Sequence, residues 1–360
     1  MTLVSVLVPA CNAAATIGET LASAAAQSHR ELEIIVVDDG STDATAGIVR
    51  QAAQTDARII LVQQANAGVA AARNAALGRA RGACIAPLDA DDLWHPDKIA
   101  RQLARLEQAG PGVGLVYCWS VDIDERSIII DRRLDLDRFE GDVYAALVLA
   151  NFVGNASVPL MRKSAIEAVG GWDSELRRNN AQGCEDWQAY LRLAERVEYA
   201  LEPAFLVGYR QAASAMSRQV SRMQRSYRLV LAEAKRRHPE LPARLFRWSA
   251  AAFDFYVFEL LKDLAPRPRR LPWLAKGILR DPAWLTRPST HRKLRFWLKQ
   301  AVRKRLPRHV AAPKPAPFPV GHPFSALAPD AYRDVSEGTA ISERRRLVAQ
   351  LSVRPPTATG

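Results

Sequence analysis

Apolar residues gather in short runs separated by amphipathic stretches, and this alternation repeats along the first quarter of the chain. Residues 3–9 form a continuous apolar run rich in β-branched side chains and reaching Pro9, the pattern of a strand buried on both faces. Residues 16–27 switch to helical spacing, with Ile17, Leu21 and Ala24 on one face. Residues 32–37 predict a second buried strand, and 42–53 a helix with Ser41 or Thr42 as its cap. Residues 59–62 predict a third strand, 68–79 an Ala-rich helix and 84–88 a fourth strand. Strands alternating with helices through short connections predict an α/β fold with a mostly parallel sheet flanked by helices. Ligands gather at the carboxyl ends of strands in such sheets.

The later pattern is less regular. A helix is expected from Asp97 to Glu107, a strand over 114–121, a helix over 141–150 and a strand over 157–161. A helix over 163–169 ends at Gly170-Gly171, another spans 185–196, and residues 197–201 and 205–209 read as extended segments. The polar stretch 122–142 fits no period. From residue 218 helices appear without strands, over 223–237 and 245–264, followed by a region dense in Pro, Arg and Trp from Pro266 to Pro288. Residues 291–305 predict a basic helix with Leu294, Trp297, Leu298, Ala301 and Val302 on a narrow stripe, and 311–330 are Pro/Ala-rich and irregular. The expected division is 1–217 (halves 1–121 and 122–217), a helical basic extension over 218–310 and a tail over 311–360.

Charge sharpens that division. The net charge of +12 is unevenly spread: residues 1–210 carry 20 Lys and Arg against 28 Asp and Glu, whereas residues 211–310 carry 24 against 6. A block this basic points to an anionic surface such as phospholipid, nucleic acid or an acidic partner. The four cysteines show no CxxC spacing, so neither zinc nor a disulfide framework is expected, and the thiols suit the cytoplasm. Residues 2–11 lack a cationic start and contain Pro9, so a lipoprotein signal is not expected. No apolar run reaches the roughly 20 residues of a membrane span, so any work at a membrane is done from one side.

Three acidic motifs fall at element ends. Asp38-Asp39-Gly40-Ser41 leaves the second strand, where a carboxylate could accept from a nucleobase edge or simply complete a turn and helix cap. Asp89-Ala90-Asp91-Asp92 leaves the fourth strand. Two carboxylates there could converge on Mg²⁺ or Mn²⁺, or form a surface acidic turn. Glu185-Asp186-Trp187 opens a helix, where acids suit the helix dipole, and where Asp186 could instead take a proton from an acceptor hydroxyl. Trp187 could face a sugar ring or pack. The stretch from Asn66 to Asn74 leads into a helix whose N-terminus, with Arg73, suits an anion such as a diphosphate, or Arg73 is a structural ion-pair partner. Gly170-Gly171-Trp172-Asp173 shapes an acceptor-side loop or an ordinary helix end.

In this order the motifs resemble the inverting GT-A-fold glycosyltransferases of family 2, over roughly residues 3–217. The resemblance rests on Val4 to Asn12, Ile34 to Asp43, Asn66 to Asn74, Leu88 to Asp92, Val169 to Asp173 and Glu185 to Trp187. It implies Pro9 and Asn12 lining a nucleotide pocket, Asp39 at the base, Arg73 near the nucleotide, Asp89 at the ribose, Asp91 on Mn²⁺ or Mg²⁺ and Asp186 as catalytic base. Gly171, Trp172, Glu185 and Trp187 would lie on the acceptor side. The implied reaction is one in-line displacement, with inversion, from a nucleotide-sugar, by resemblance a UDP-sugar. The acceptor would be a hydroxyl of a glycan or lipid-linked glycan, in building a cell-envelope polysaccharide or glycolipid. Many relatives carry a histidine where this chain has Ala212; Arg210 or Arg218 could supply positive charge instead.

For residues 218–310 an anionic membrane surface and a helical cap with a solvated basic face weigh equally, with nucleic acid well behind. The expected place of action is the cytoplasm, at the inner face of the cytoplasmic membrane. The rival from another class is a non-catalytic GT-A-like partner subunit that binds a nucleotide-sugar or glycan. A nucleotidyltransferase ranks last, because the loop after the first strand has neither glycine nor a basic residue for a triphosphate.

Overall fold

The computed structural model describes residues 2–131, 138–211, 219–264, 267–286, 320–329 and 348. Strands β1 (Val4–Ala10), β2 (Leu32–Asp39), β3 (Ile59–Gln64) and β4 (Cys84–Pro87) alternate with helices α1 (Ile17–Ala25), α2 (Thr45–Thr55) and α3 (Val69–Leu77). The apolar runs of β1 and β2 are buried along their whole length, as strands covered by helices on both faces must be. β1 pairs in parallel with β2 on one side and β4 on the other, and β3 extends β2. Pro9 lies beyond the last β1–β4 pair, Leu7 with Pro87, where a strand tolerates a residue without an N–H.

The second half adds β5 (Leu93–Trp94), α4 (Lys98–Ala109), β6 (Val113–Ile123), β7 (Ile129–Asp131) and α5 (Tyr144–Leu149). It continues with β8 (Leu160–Arg162), α6 (Lys163–Ala168), α7 (Glu175–Arg178), α8 (Glu185–Ala194) and β9 (Glu198–Arg210). All nine strands join one sheet in the order β3-β2-β1-β4-β8-β6-β9-β5, with β7 beside β6. The α/β class expected from the sequence is what forms. Its parallel character belongs to the first four strands and the β6–β9 pair, since β8 runs antiparallel between β4 and β6 and β5 runs antiparallel to β9.

Two local differences from the sequence expectation have physical causes. Residues 197–201 and 205–209 are one strand, because the β6–β9 register steps from Tyr117–Leu201 to Trp119–Phe205 and so bulges around Pro203, which has no N–H to pair. The unassigned polar stretch hides β7, folded back on β6 by a turn in which Asp124 Oδ1 accepts the N–H groups of Arg126 and Ile128.

Helices α9 (Val220–Arg237), α10 (Ala243–Leu264) and α11 (Arg267–Arg280) follow, then a 3-10 turn, Pro282–Thr286. The core continues into them: Met223, Tyr227, Val230 and Ala234 of α9 are buried with it, and the Tyr227 ring stacks on Trp187 at 5.4 Å. Arg192 of α8 bridges Asp173 and Glu233 of α9, each at 2.9 Å. α10 packs on α5, and α11 packs on α10. α11 forms within the Pro/Arg/Trp-dense region, with Pro268 in its first turn, where no intrahelical N–H is needed. Phe324, in a 3-10 turn (Phe324–Ala326) within the stretch expected to be irregular, is buried. Ala212, Arg218 and residues 291–305 lie outside the described residues.

Candidate active site

The site forms where β1, β2 and β4 end and α8 begins. After β1, Asn12 takes a left-handed conformation (φ +51°), which asparagine tolerates. Its Oδ1 accepts the Thr42 N–H at 2.8 Å, and its own N–H donates to Ser41 Oγ at 2.9 Å. The loop after β1 is thereby tied to the loop after β2, and Thr42 serves that tie rather than capping α2. Asp43 does the work at the helix start, with Oδ1 accepting from the Thr45 N–H and hydroxyl.

Asp38 and Asp39 are both buried. Asp38 accepts from the Ser41 N–H and Gln63 Nε2. Asp39 Oδ1 accepts from Gln64 Nε2 at 2.8 Å and the Ala67 N–H at 2.7 Å, and its Oδ2 accepts the Gly68 N–H at 2.7 Å. The carboxylate therefore shapes the loop that enters α3. Arg177 of α7 lies over that loop: its Nη2 donates to Asn66 Oδ1 at 2.6 Å, and a Cβ on Gly68 would meet its Cδ and Nη1 at 2.7 Å. Arg177 Nη1 is buried without a hydrogen-bond partner.

Arg73, buried in α3, donates from Nη2 to Asp89 Oδ1 at 2.6 Å, while its Nε is buried without a partner. Burial works against the guanidinium charge, and the carboxylates of Asp89 and Asp186 outweigh it, raising the Arg73 pKa. Residues far apart in sequence, from α3, the β4 exit and the start of α8, thus share one electrostatic neighbourhood. Within it, burial pushes Asp186 up to about 7, with Arg73 pulling the other way. Burial and the Asp89 charge push Asp91 up to about 6. Raised carboxylates grouped in this way mark a candidate functional site.

The loop between Asp89 and Asp92 is held rigidly from behind. Ser157 Oγ accepts the Asp89 N–H at 2.9 Å and donates to Asp92 Oδ2 at 2.5 Å. Arg210 closes the arrangement: its backbone N–H donates to Asp92 Oδ1, its Nε to the Asp91 carbonyl at 2.6 Å, its Nη1 to the Asp124 carbonyl at 2.8 Å and its Nη2 to Glu19 at 2.8 Å. Arg210 is only 2% exposed, so it clamps this loop from within, and its charge acts on Asp91. Its replacement by Met strands the Asp91 and Asp124 carbonyls, and is expected to destabilise the chain by about 2 kcal/mol or more. Urea unfolding of Arg210→Met measures this, and an unchanged midpoint would show that the clamp is dispensable.

Among the described residues no three His, Cys, Asp or Glu side chains converge into a protein-only metal cage. No other residue's hydrogen bond reaches the Asp91 carboxylate among the described residues, and it sits beside Asp89. That donor set fits a hard divalent ion held by one or two carboxylates together with phosphate oxygens and water.

On the other side of the site, Glu185 Oε2 accepts the Gly183 N–H at 2.7 Å and is buried. Trp187 is 4% exposed and donates from Nε1 to the Leu147 carbonyl, and Trp172 is 2% exposed. Both indoles pack, and neither offers a face to a sugar ring. Trp172 instead exchanges hydrogen bonds with Asn74: its N–H donates to Oδ1 at 2.9 Å, and Asn74 Nδ2 donates to its carbonyl at 2.6 Å. Gly171, at φ +72°, allows this approach, because a Cβ there would overlap Asn74 Oδ1. Gly171→Ala is expected to lose about 2 kcal/mol through backbone strain and the broken pair, read as a lower denaturation midpoint.

Sequence reasoning gave no role to Asp92, Ser157 or Arg177. Asp92 carried a signal, as the third acid of its motif, but Ser157 and Arg177 had none, because their partners lie far along the chain.

Comparison with known proteins agrees with this fold. Residues 5–169 match the family model described as glycosyl transferase family 2. The chain is 48% identical over 102 residues to the putative teichuronic acid biosynthesis glycosyltransferase TuaG of Bacillus subtilis strain 168, a match covering 28% of this chain and 40% of that protein. It is 28% identical over 321 residues to the succinoglycan biosynthesis protein ExoU of Rhizobium meliloti strain 1021, covering 79% of this chain and 90% of that one. The crystal structure of S. aureus TarS 1–349 in complex with UDP-GlcNAc superposes with a TM-score of 0.51 at 18% identity, covering 77% of this chain and 89% of that chain, a likeness of fold.

Proposed function

We propose, from the match of residues 5–169 to the glycosyl transferase family 2 model, that this chain transfers a sugar from a nucleoside diphosphate sugar, with uridine the favoured base, to a hydroxyl of a glycan or lipid-linked glycan. The product would serve a cell-envelope polysaccharide or glycolipid. The relatives named for teichuronic acid and succinoglycan biosynthesis support that reading. The observation that carries it is the shared neighbourhood of Arg73, Asp89 and Asp186, with the Asp91 carboxylate beside it.

In this reading the loops bearing Pro9, Asn12 and Asp39 form the nucleotide pocket. Asp39 Oδ2 has one donor from the chain, which leaves it able to accept from a base edge. Asp89 faces the ribose, and Arg73 and Arg177 supply positive charge beside the diphosphate. Asp91, with Asp89, would hold Mn²⁺ or Mg²⁺, which when bound neutralises charge on the departing diphosphate. Asp186 takes the proton from the acceptor hydroxyl, and its raised pKa of about 7 makes it a base matched to neutral pH. The oxygen so freed attacks the anomeric carbon opposite the leaving group, which inverts the configuration.

Calorimetric titration with UDP, GDP, dTDP and CDP, each with Mn²⁺, Mg²⁺ or EDTA, tests the donor site. The reading predicts that one diphosphate binds and that EDTA weakens it. Indifference to all four would contradict the reading.

A further inference from the structure

Among the described residues, the basic block that follows the sheet does not present one continuous charged face. α9 is built into the core, and its Arg237 pairs with Glu195, while Glu233 is held by Arg192. α10 buries Leu245, Ala251, Val257 and Phe258. α11 differs. One side packs on α10: Gly277 lies so close that a Cβ would meet the Phe255 ring at 2.5 Å, and Arg280 pairs with the buried Asp254.

The opposite side of α11, at helical spacing, consists of Pro268, Leu271, Pro272, Ala275 and Leu279, all exposed. Leu271 is 53% and Leu279 79% exposed, and Leu285 on the following 3-10 turn is 44% exposed. Of the seven large apolar side chains exposed among the described residues, three fall in this short stretch, so the cluster is not the ordinary scatter of surface hydrophobes. Exposed Arg269 and Lys276 border the face, and the Lys276 ammonium lies 4.9 Å from the Trp273 ring. Residues 267–280 hold five basic residues and no acid. No helix among the described residues is long and apolar enough to cross a membrane.

We propose that the outward face of α11, with Leu285, docks on the surface of an anionic phospholipid bilayer, the leucines and prolines entering the headgroup boundary and Arg269 and Lys276 meeting lipid phosphates. The charge and the apolar face are complementary to such a surface, whereas nucleic acid would leave the leucines in water. The placement suits the chemistry too. α11 rides on α10, α10 packs on α5, and α5 packs on α8, whose first turn carries Asp186. The docking face is thus linked through packed helices to the half that carries Asp186, where a lipid-linked acceptor would have to arrive. The inference narrows the membrane partner expected for residues 218–310 to one helix face, and lipid binding does not depend on turnover.

The full chain would be sedimented with vesicles of phosphatidylcholine alone and of phosphatidylcholine mixed with phosphatidylglycerol. Binding to the mixed vesicles only, weakened by salt, is expected. The double substitution Leu271→Glu and Leu279→Glu should reduce it by at least about tenfold, and Arg269→Glu with Lys276→Glu by about fivefold per charge. Both pairs are exposed, so circular dichroism and nucleoside diphosphate binding should match the parent chain. The proposal is overturned if the parent chain ignores anionic vesicles or the leucine variant binds as well as the parent. It is equally overturned if the parent is a dimer in solution that the leucine variant dissociates, since the face then belongs to a second copy. Failure of donor binding in the parent chain would count against sugar transfer and leave the vesicle result standing by itself.

Discussion

Replacing Asp186 by Asn is expected to lower the proposed sugar transfer by about 10² to 10⁴-fold, with donor binding within a few-fold of the parent chain. The magnitude is that of a removed general base, and the geometry says why binding survives. Asp186 belongs to α8, whereas the loops proposed to hold the nucleotide hang on the Asn12–Thr42, Asp39–Gly68 and Arg73–Asp89 contacts. The same substitution has a stability signature of opposite sign. In the folded chain Asp186 titrates at about 7, above its ordinary 3.8, so the folded state holds the proton more tightly than the unfolded one. That contribution is present in full below the unfolded value and is lost as pH rises through about 7. At pH 8 the Asn variant is therefore expected to be more stable than the parent by about 4 kcal/mol, read from urea midpoints, with the difference vanishing below the ordinary value of 3.8. In the parent, kcat/KM should rise with pH and level off above about 7, as the carboxyl loses its proton.

Asp91→Ala is expected to remove the proposed anchor of the divalent ion. The parent chain should bind its nucleoside diphosphate more tightly with Mn²⁺ or Mg²⁺ than with EDTA, and the Ala variant should bind equally weakly in both. A single carboxylate that anchors a phosphate-bridging ion is worth about 10-fold to 100-fold in affinity. Because the Asp91 carbonyl remains on Arg210 Nε, the loop itself should keep its place. Calorimetry on the two proteins reads both numbers, and a variant that still responds to metal as the parent does would remove Asp91 from the proposed ion site.

The parallel half of the fold was legible because each of its elements has a simple period. β1 and β2 are continuous apolar runs and α1 is a clear amphipathic helix, so the sheet and the positions of its exit loops follow directly. What escaped reading was set by distant contacts. β5 is two residues long and exists because β9 lies beside it, and β9 reads as two pieces until the bulge around Pro203 is seen. Asp39, Asp89, Asp91 and Asp186 could be picked out as candidates because acids at strand and helix ends are conspicuous. Trp172 and Trp187 were conspicuous for the same kind of reason, yet tertiary packing takes both indoles into the core. Ser157, Arg177 and Arg210 hold the site's loops through partners 65 to 119 residues away, a distance at which no local pattern survives.

The account's central claim, that this chain is a catalyst with Asp186 as its base, is tested most directly by a paired measurement. Release of nucleoside diphosphate from a panel of nucleotide-sugars would be followed with metal present, for the parent chain and Asp186→Asn side by side, together with donor affinity for each. The account predicts release from one donor by the parent, its loss in the variant, and donor affinity preserved in both. Equal behaviour of the two proteins, with the donor bound and never turned over, would contradict it and assign the chain to the non-catalytic partner class.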